Sequence, residues 1–174
     1  MIIFAACMFS ACSGRKKDNT DNNVDQTAAV TSEEDTKFTV EVAAWNVRQV
    51  ELSFFAKDKL TNGKVKELDG IITANSSKAV ADLMAVAKDK KISLPVALNS
   101  DGQKDEDELG AHTGSDLDKT YIEKITEDSK QAEKLYENAS VNAKDKDIKN
   151  LAVKALSVAK QQLTTIKAVQ DNMK

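Results

Sequence analysis

The chain has 174 residues, with 25 Lys plus Arg against 28 Asp plus Glu, one His, two Cys, one Pro and six Gly, a length that suits one domain and hardly two. Apolar residues make up 41% and aromatics only 5%, so a core is expected to consist of Ala, Val, Leu and Ile rather than stacked rings. So few turn residues argue against a many-stranded sandwich or barrel, and a net charge of -3 argues against nucleic acid as a partner.

Residues 1–11, MIIFAACMFSA, carry no charge and are mostly apolar. They have the character of a signal peptide and are too short to span a bilayer as a helix. Phe9-Ser10-Ala11-Cys12 has the form of a lipobox and resembles a bacterial lipoprotein signal, although no Lys or Arg precedes the apolar run. In that reading cleavage falls before Cys12, whose lipidation anchors the chain to a membrane. Residues 12–32 are then the lipidated Cys and a disordered tether, because the polar stretch rich in Asn, Asp and Thr has no period and too little to bury. Processing would leave no unmodified Cys, and with it no disulfide and no thiolate metal ligand.

The folded domain is expected over residues 33–174. Ser32 followed by Glu33, Glu34 and Asp35 has the form of a helix start. Phe38, Val42, Trp45, Gln49, Leu52 and Ala56 then recur at three- and four-residue steps, predicting a helix to about Leu60. Thr61-Asn62-Gly63 ends it. Val65, Leu68, Ile72, Ser76, Ala79, Leu83 and Ala87 mark a second helix from about Lys64 to Lys90. Leu94-Pro95 breaks the pattern, leaving a long crossover with a short helix near Gln103 to Leu109. Ser115-Asp116-Leu117-Asp118 is expected to cap a third helix, with Leu117, Tyr121, Ile125, Ser129, Ala132, Tyr136 and Ala139 on one face. A fourth runs from about Asp147 to Met173, with Ile148, Leu151, Ala155, Ala159, Gln162, Ile166 and Val169 inward. Such stripes close as an all-α four-helix bundle of two hairpins joined by one long connection.

Phe38, Val50, Leu52 and Ala56, then Leu83 and Ala87 running into Lys91-Ile92-Ser93-Leu94-Pro95, then Gly114 and Leu117-Asp118-Lys119-Thr120-Tyr121, resemble a family of exported bacterial proteins called domain of unknown function 4142. The resemblance covers nearly all of residues 36 to 170 and implies a ferritin-like four-helix bundle in an exported protein, with no established activity. It also implies inward positions for a Glu on the first helix and a His on each of the other three. By spacing those positions are Gln49, Ser76, Ser129 and Gln162 here, two amides and two hydroxyls that supply neither charge nor basicity to a metal. The stripes alone place the same four polar residues among apolar ones. If the bundle closes they are expected to meet as one interior layer that sets helix register.

Other chemistry has little to build on. His112 is expected as a solvated loop residue beside the acidic run Asp105 to Glu108. The chain shows no phosphate-binding glycine loop and no nucleophile elbow. From Phe38 onward 21 basic and 22 acidic residues nearly balance, so no long-range field recruits a partner. The expected protein is a non-catalytic lipoprotein of the cell envelope, periplasmic or outer-membrane. It binds no metal, cofactor or nucleic acid and acts as a structural or interaction module whose protein partner is unidentified. Two other readings stand beside it. One is a ferritin-like metal-binding or oxidative-stress protein with unrecognised ligands, the other a small-molecule carrier with a cavity between helices.

Overall fold

The computed structural model describes residues 31–173. The apolar leader, Cys12 and the polar segment through residue 30 lie outside the described residues. Five helices follow in order: α1 (Glu33–Ala56), α2 (Gly63–Lys90), α3 (Ser100–Gly110), α4 (Gly114–Asn142) and α5 (Lys146–Asp171). No strand occurs among the described residues. None of these helices is long and apolar enough to cross a membrane.

Four of the starts are fixed by side chains that accept from orphan backbone N–H groups of the first turn. Ser32 takes the N–H of Asp35, Asn62 those of Lys64 and Val65, Asn99 that of Gly102, and Asp145 those of Asp147 and Ile148. The expected cap of the third long helix is displaced. That helix starts at Gly114 after Thr113, which makes no side-chain cap bond, and Asp118 is committed elsewhere. Its carboxylate accepts from the Thr61 and Asn62 backbone N–H groups, both at 2.9 Å, and from the Thr61 hydroxyl at 2.6 Å. α1 also stops at Ala56 rather than near Leu60, and the chain turns through Lys57–Lys59 so that Leu60 packs inward.

The hydrogen bonds at the bundle ends define the topology. Asp118, near the start of α4, holds the α1–α2 turn. Asp35, near the start of α1, accepts from the Lys144 and Asp145 N–H groups of the α4–α5 turn. Lys90, at the end of α2, reaches the Asp145 carboxylate at 2.6 Å. The four long helices therefore run up, down, down and up. α1 packs on α2 and α4, and α5 on α4 and α2, while the crossover carrying α3 runs the length of the bundle against α1 and α4. This is the ferritin-like arrangement, with two hairpins and one long connection.

The crossover is held by charge. Arg48 of α1 pairs with Asp105 of α3, and its Nε lies 3.2 Å from Asp128 Oδ1 of α4. Lys124 Nζ meets the other oxygen of Asp105 at 2.9 Å. Asp105 thus faces inward, while Asp107 and Glu108 of the same acidic run are exposed. Asp128 is fully buried and neither of its oxygens accepts a hydrogen bond. Burial therefore pushes its carboxyl up to about 7, with Arg48 opposing the shift.

The core divides in two. One half, next to the α1–α2 turn, holds large side chains such as Leu52, Leu68, Ile72, Tyr121, Ile125 and Ile166. The other, toward the α4–α5 turn, is rich in alanine, with Ala43, Ala132, Ala139, Ala152 and Ala159 beside Phe38, Val42, Leu83 and Tyr136.

Candidate functional site

Between the two halves lie Gln49, Ser76, Ser129 and Gln162, one from each long helix and all buried. The structure brings the four together in one closed set of hydrogen bonds. Ser76 Oγ donates to Gln49 Oε1 at 2.6 Å, and Gln49 Nε2 donates to Ser129 Oγ at 3.1 Å. Gln162 Nε2 donates to both Gln49 Oε1 at 3.1 Å and Ser129 Oγ at 3.0 Å. Gln162 Oε1 accepts from Asn75 Nδ2 at 3.1 Å. Every polar atom of the layer that is fully enclosed has a partner, which is the condition for a buried polar group to be tolerated.

This layer does not fit a divalent cation. Its oxygens are neutral and already engaged in hydrogen bonds, and a metal would have to break those bonds while gaining no negative charge. Among the described residues no group of three or more His, Cys, Asp or Glu side chains converges on a point where an ion could sit. His112 sits half-buried at the α3–α4 turn, with its backbone N–H bonded to Leu109 O at 3.2 Å.

The layer has polar neighbours on both sides, which the sequence reading leaves out. Toward the alanine-rich half, Asn46 Nδ2 donates to Val42 O at 2.7 Å and to the Tyr136 hydroxyl at 3.1 Å. Toward the other half, Tyr121 donates to Asp69 Oδ1 at 2.6 Å, and its hydroxyl is paired with Ser53 Oγ at 2.8 Å. Burial and the Asp69 charge raise the Tyr121 phenol well above its usual value. Asn46, Gln49 and Ser53 lie three and four residues apart, so α1 carries one polar line down the bundle axis. That spacing was visible in the sequence, though Asn46 and Ser53 lie one position off the apolar stripe.

A cleft of about 690 Å³ opens between α2 and α5 and reaches this interior. Small side chains make it: where Leu would fill the gap between the helices, Ala79, Ala132, Ala155 and Ala159 stand, with Val86 and Leu151 beside them. Ala79, Leu151 and Ala155 belong to the apolar stripes yet are only half-buried, because the wall they face is open. The buried end is formed by Asn46, Gln49, Ser129, Tyr136 and Gln162, and the exposed rim by Lys78, Asp82, Asp147, Asn150 and Lys154. The volume lies in the range of small-molecule sites, with apolar walls and a few convergent polar groups.

Trp45 is half-buried rather than a core residue, and the Arg48 guanidinium lies 5.2 Å from its ring centroid. Phe54 stands 69% exposed on α1.

Fold and interior together define a ferritin-like four-helix bundle with a neutral centre. The model of the domain of unknown function DUF4142 matches residues 20–169, and the chain belongs to that family. In fold it is similar to the crystal structure of a DUF305 fragment from Deinococcus radiodurans. The two share 9% identity with a TM-score of 0.72, over 82% of this chain and 98% of that one. No curated protein matches the chain.

Proposed function

We propose that the protein is a non-catalytic binding module of the cell envelope, which holds a small ligand in the cleft between α2 and α5. The observation that carries this reading is the cleft itself, with alanine and valine walls and an uncharged amide and hydroxyl floor. Catalysis finds less support. The floor offers neutral groups that are mutually hydrogen-bonded, and Asp128 and Asp69, the buried carboxylates nearest the centre in sequence, belong to other contacts. A ferritin-like metal role finds less support for the same reason, since the layer lacks charge at the four inward positions.

The envelope setting rests on the sequence Phe9-Ser10-Ala11-Cys12. In this proposal Cys12 carries the lipid, residues 13 to about 32 act as a tether, and the bundle is presented at the membrane surface on the periplasmic or outer-membrane side.

Pyrene, an uncharged hydrocarbon fluorophore, tests the cleft. The protein is expected to bind it saturably, and the double substitution Ala79→Leu with Ala155→Leu is expected to abolish binding while the helical circular dichroism is unchanged. Absence of saturable binding to the unaltered protein, or equal binding to the filled variant, overturns the reading.

A further inference from the structure

The polarity of the cleft runs opposite to that of a pocket for a buried tail. Its deep end is hydrogen-bonding and its middle apolar. Tyr136 is 3% exposed, and its hydroxyl accepts from Asn46 Nδ2 without an acceptor for its own proton among the described residues. Asn46 Oδ1 likewise has no donor there, since both contacts of that amide are made through Nδ2. Burial pushes the Tyr136 phenol up to about 12, so it keeps its proton and remains a donor. A hydrocarbon tail pushed to this end would cover the Tyr136 donor and the Asn46 acceptor and leave both unpaired. A polar head placed there can accept a hydrogen bond from the Tyr136 hydroxyl and donate one to Asn46 Oδ1.

That head must be uncharged. No cation or anion lines the deep end. On the rim, Lys78 is paired with Asp82, and Asp147 lies 3.1 Å from Lys90. Lys154 remains, but it is exposed to water, where one ammonium compensates little. A carboxylate drawn into the floor would be desolvated without a partner.

We propose that the cleft selects an uncharged amphiphile, a short alkyl chain ending in a hydroxyl or primary amide, bound head inward against Tyr136 and Asn46 with its chain between Ala79 and Ala155. This rests on the cleft being a ligand site and adds the class of ligand. Competition against bound pyrene by 1-octanol and by octanoate at pH 8 distinguishes the two claims. Octanol is expected to displace pyrene at a concentration lower by at least about tenfold. The substitution Tyr136→Phe leaves Asn46 Nδ2 bonded to Val42 and is expected to weaken octanol about five- to tenfold more than it weakens pyrene. If octanoate competes as well as octanol, or Tyr136→Phe weakens octanol no more than pyrene, the head-inward assignment fails while the cleft remains a binding site. If pyrene does not bind at all, both fail.

Discussion

The side-chain amide of Gln162 donates to the amide oxygen of Gln49 at 3.1 Å and so ties α5 to α1, which stands diagonally across the bundle. Because the same oxygen also accepts from Ser76, the interior layer stands or falls as a unit. Replacing Gln49 alone by Leu strands the Ser76 hydroxyl, which is expected to lower unfolding free energy by about 2 kcal/mol. Exchanging Gln49 and Gln162 for Leu together with Ser76 and Ser129 for Ala removes donors and acceptors at once. That quadruple variant is expected to lose less than the sum of its four single variants and to keep its helicity. Denaturant titration of all five variants checks this; a quadruple variant that does not fold shows the layer to be indispensable.

Asp118 and Asp35 each anchor the turn of the hairpin to which they do not belong. Asp118→Ala leaves three donors at the α1–α2 turn without their carboxylate and is expected to cost about 2–4 kcal/mol. Asp118→Asn keeps one acceptor oxygen and is expected to cost about half as much. Equal losses in urea unfolding would mean that the negative charge and second oxygen carry the whole contact.

Lys91 ends α2 in the left-handed conformation at φ 56°, with the Ile92 N–H bonded to Ala87 O at 2.9 Å. A side chain is strained there and glycine is not. Lys91→Gly is expected to raise stability by about 0.5–1 kcal/mol, read as a higher denaturation midpoint.

The fold is largely legible in the sequence because its four stripes bury what their spacing selects: all seven α4 residues from Leu117 to Ala139 are buried. The interior layer is legible for the same reason, since four polar residues interrupt four apolar stripes at one level. What the spacing cannot reveal is a gap. Ala79, Leu151 and Ala155 have the period of core residues, and only the assembled helices show that one side of each is left open to the cleft. Nor does spacing reveal long-range charge. Asp105 and Asp128 are buried because Arg48 reaches them from another helix, and Asp118 is a loop anchor rather than a helix cap because the Thr61 and Asn62 donors meet its carboxylate.

Asp128 gives the molecule a pH dependence with a definite sign. Its carboxyl titrates near 7 when folded, above its ordinary value near 3.8, because burial disfavours the charged form. Between those values the unfolded chain releases the proton first, so this group lowers stability as pH rises from about 4 to about 7 and adds nothing further above. Arg48, Asp105, Lys124 and Glu127 share the surroundings, so the comparison is made against Asp128→Asn, which does not titrate. The decline in urea midpoint from pH 5 to pH 8 is expected to be shallower in the variant. An identical decline would assign the effect to other groups.

Cys12→Ser is expected to move the protein from the membrane fraction to the soluble fraction with unchanged helical circular dichroism. Unaltered fractionation would remove the lipid anchor from the proposal.

With an interior layer that is neutral and hydrogen-bonded within itself, the molecule is proposed to work by enclosing a ligand rather than by holding an ion. Elemental analysis of the purified protein after exhaustive dialysis tests this most directly. Iron, manganese and zinc far below one ion per chain are the predicted result, with the same outcome after exposure to excess of each metal. A stoichiometric ion that survives dialysis, and is lost on substituting Gln49 or Gln162, would contradict it.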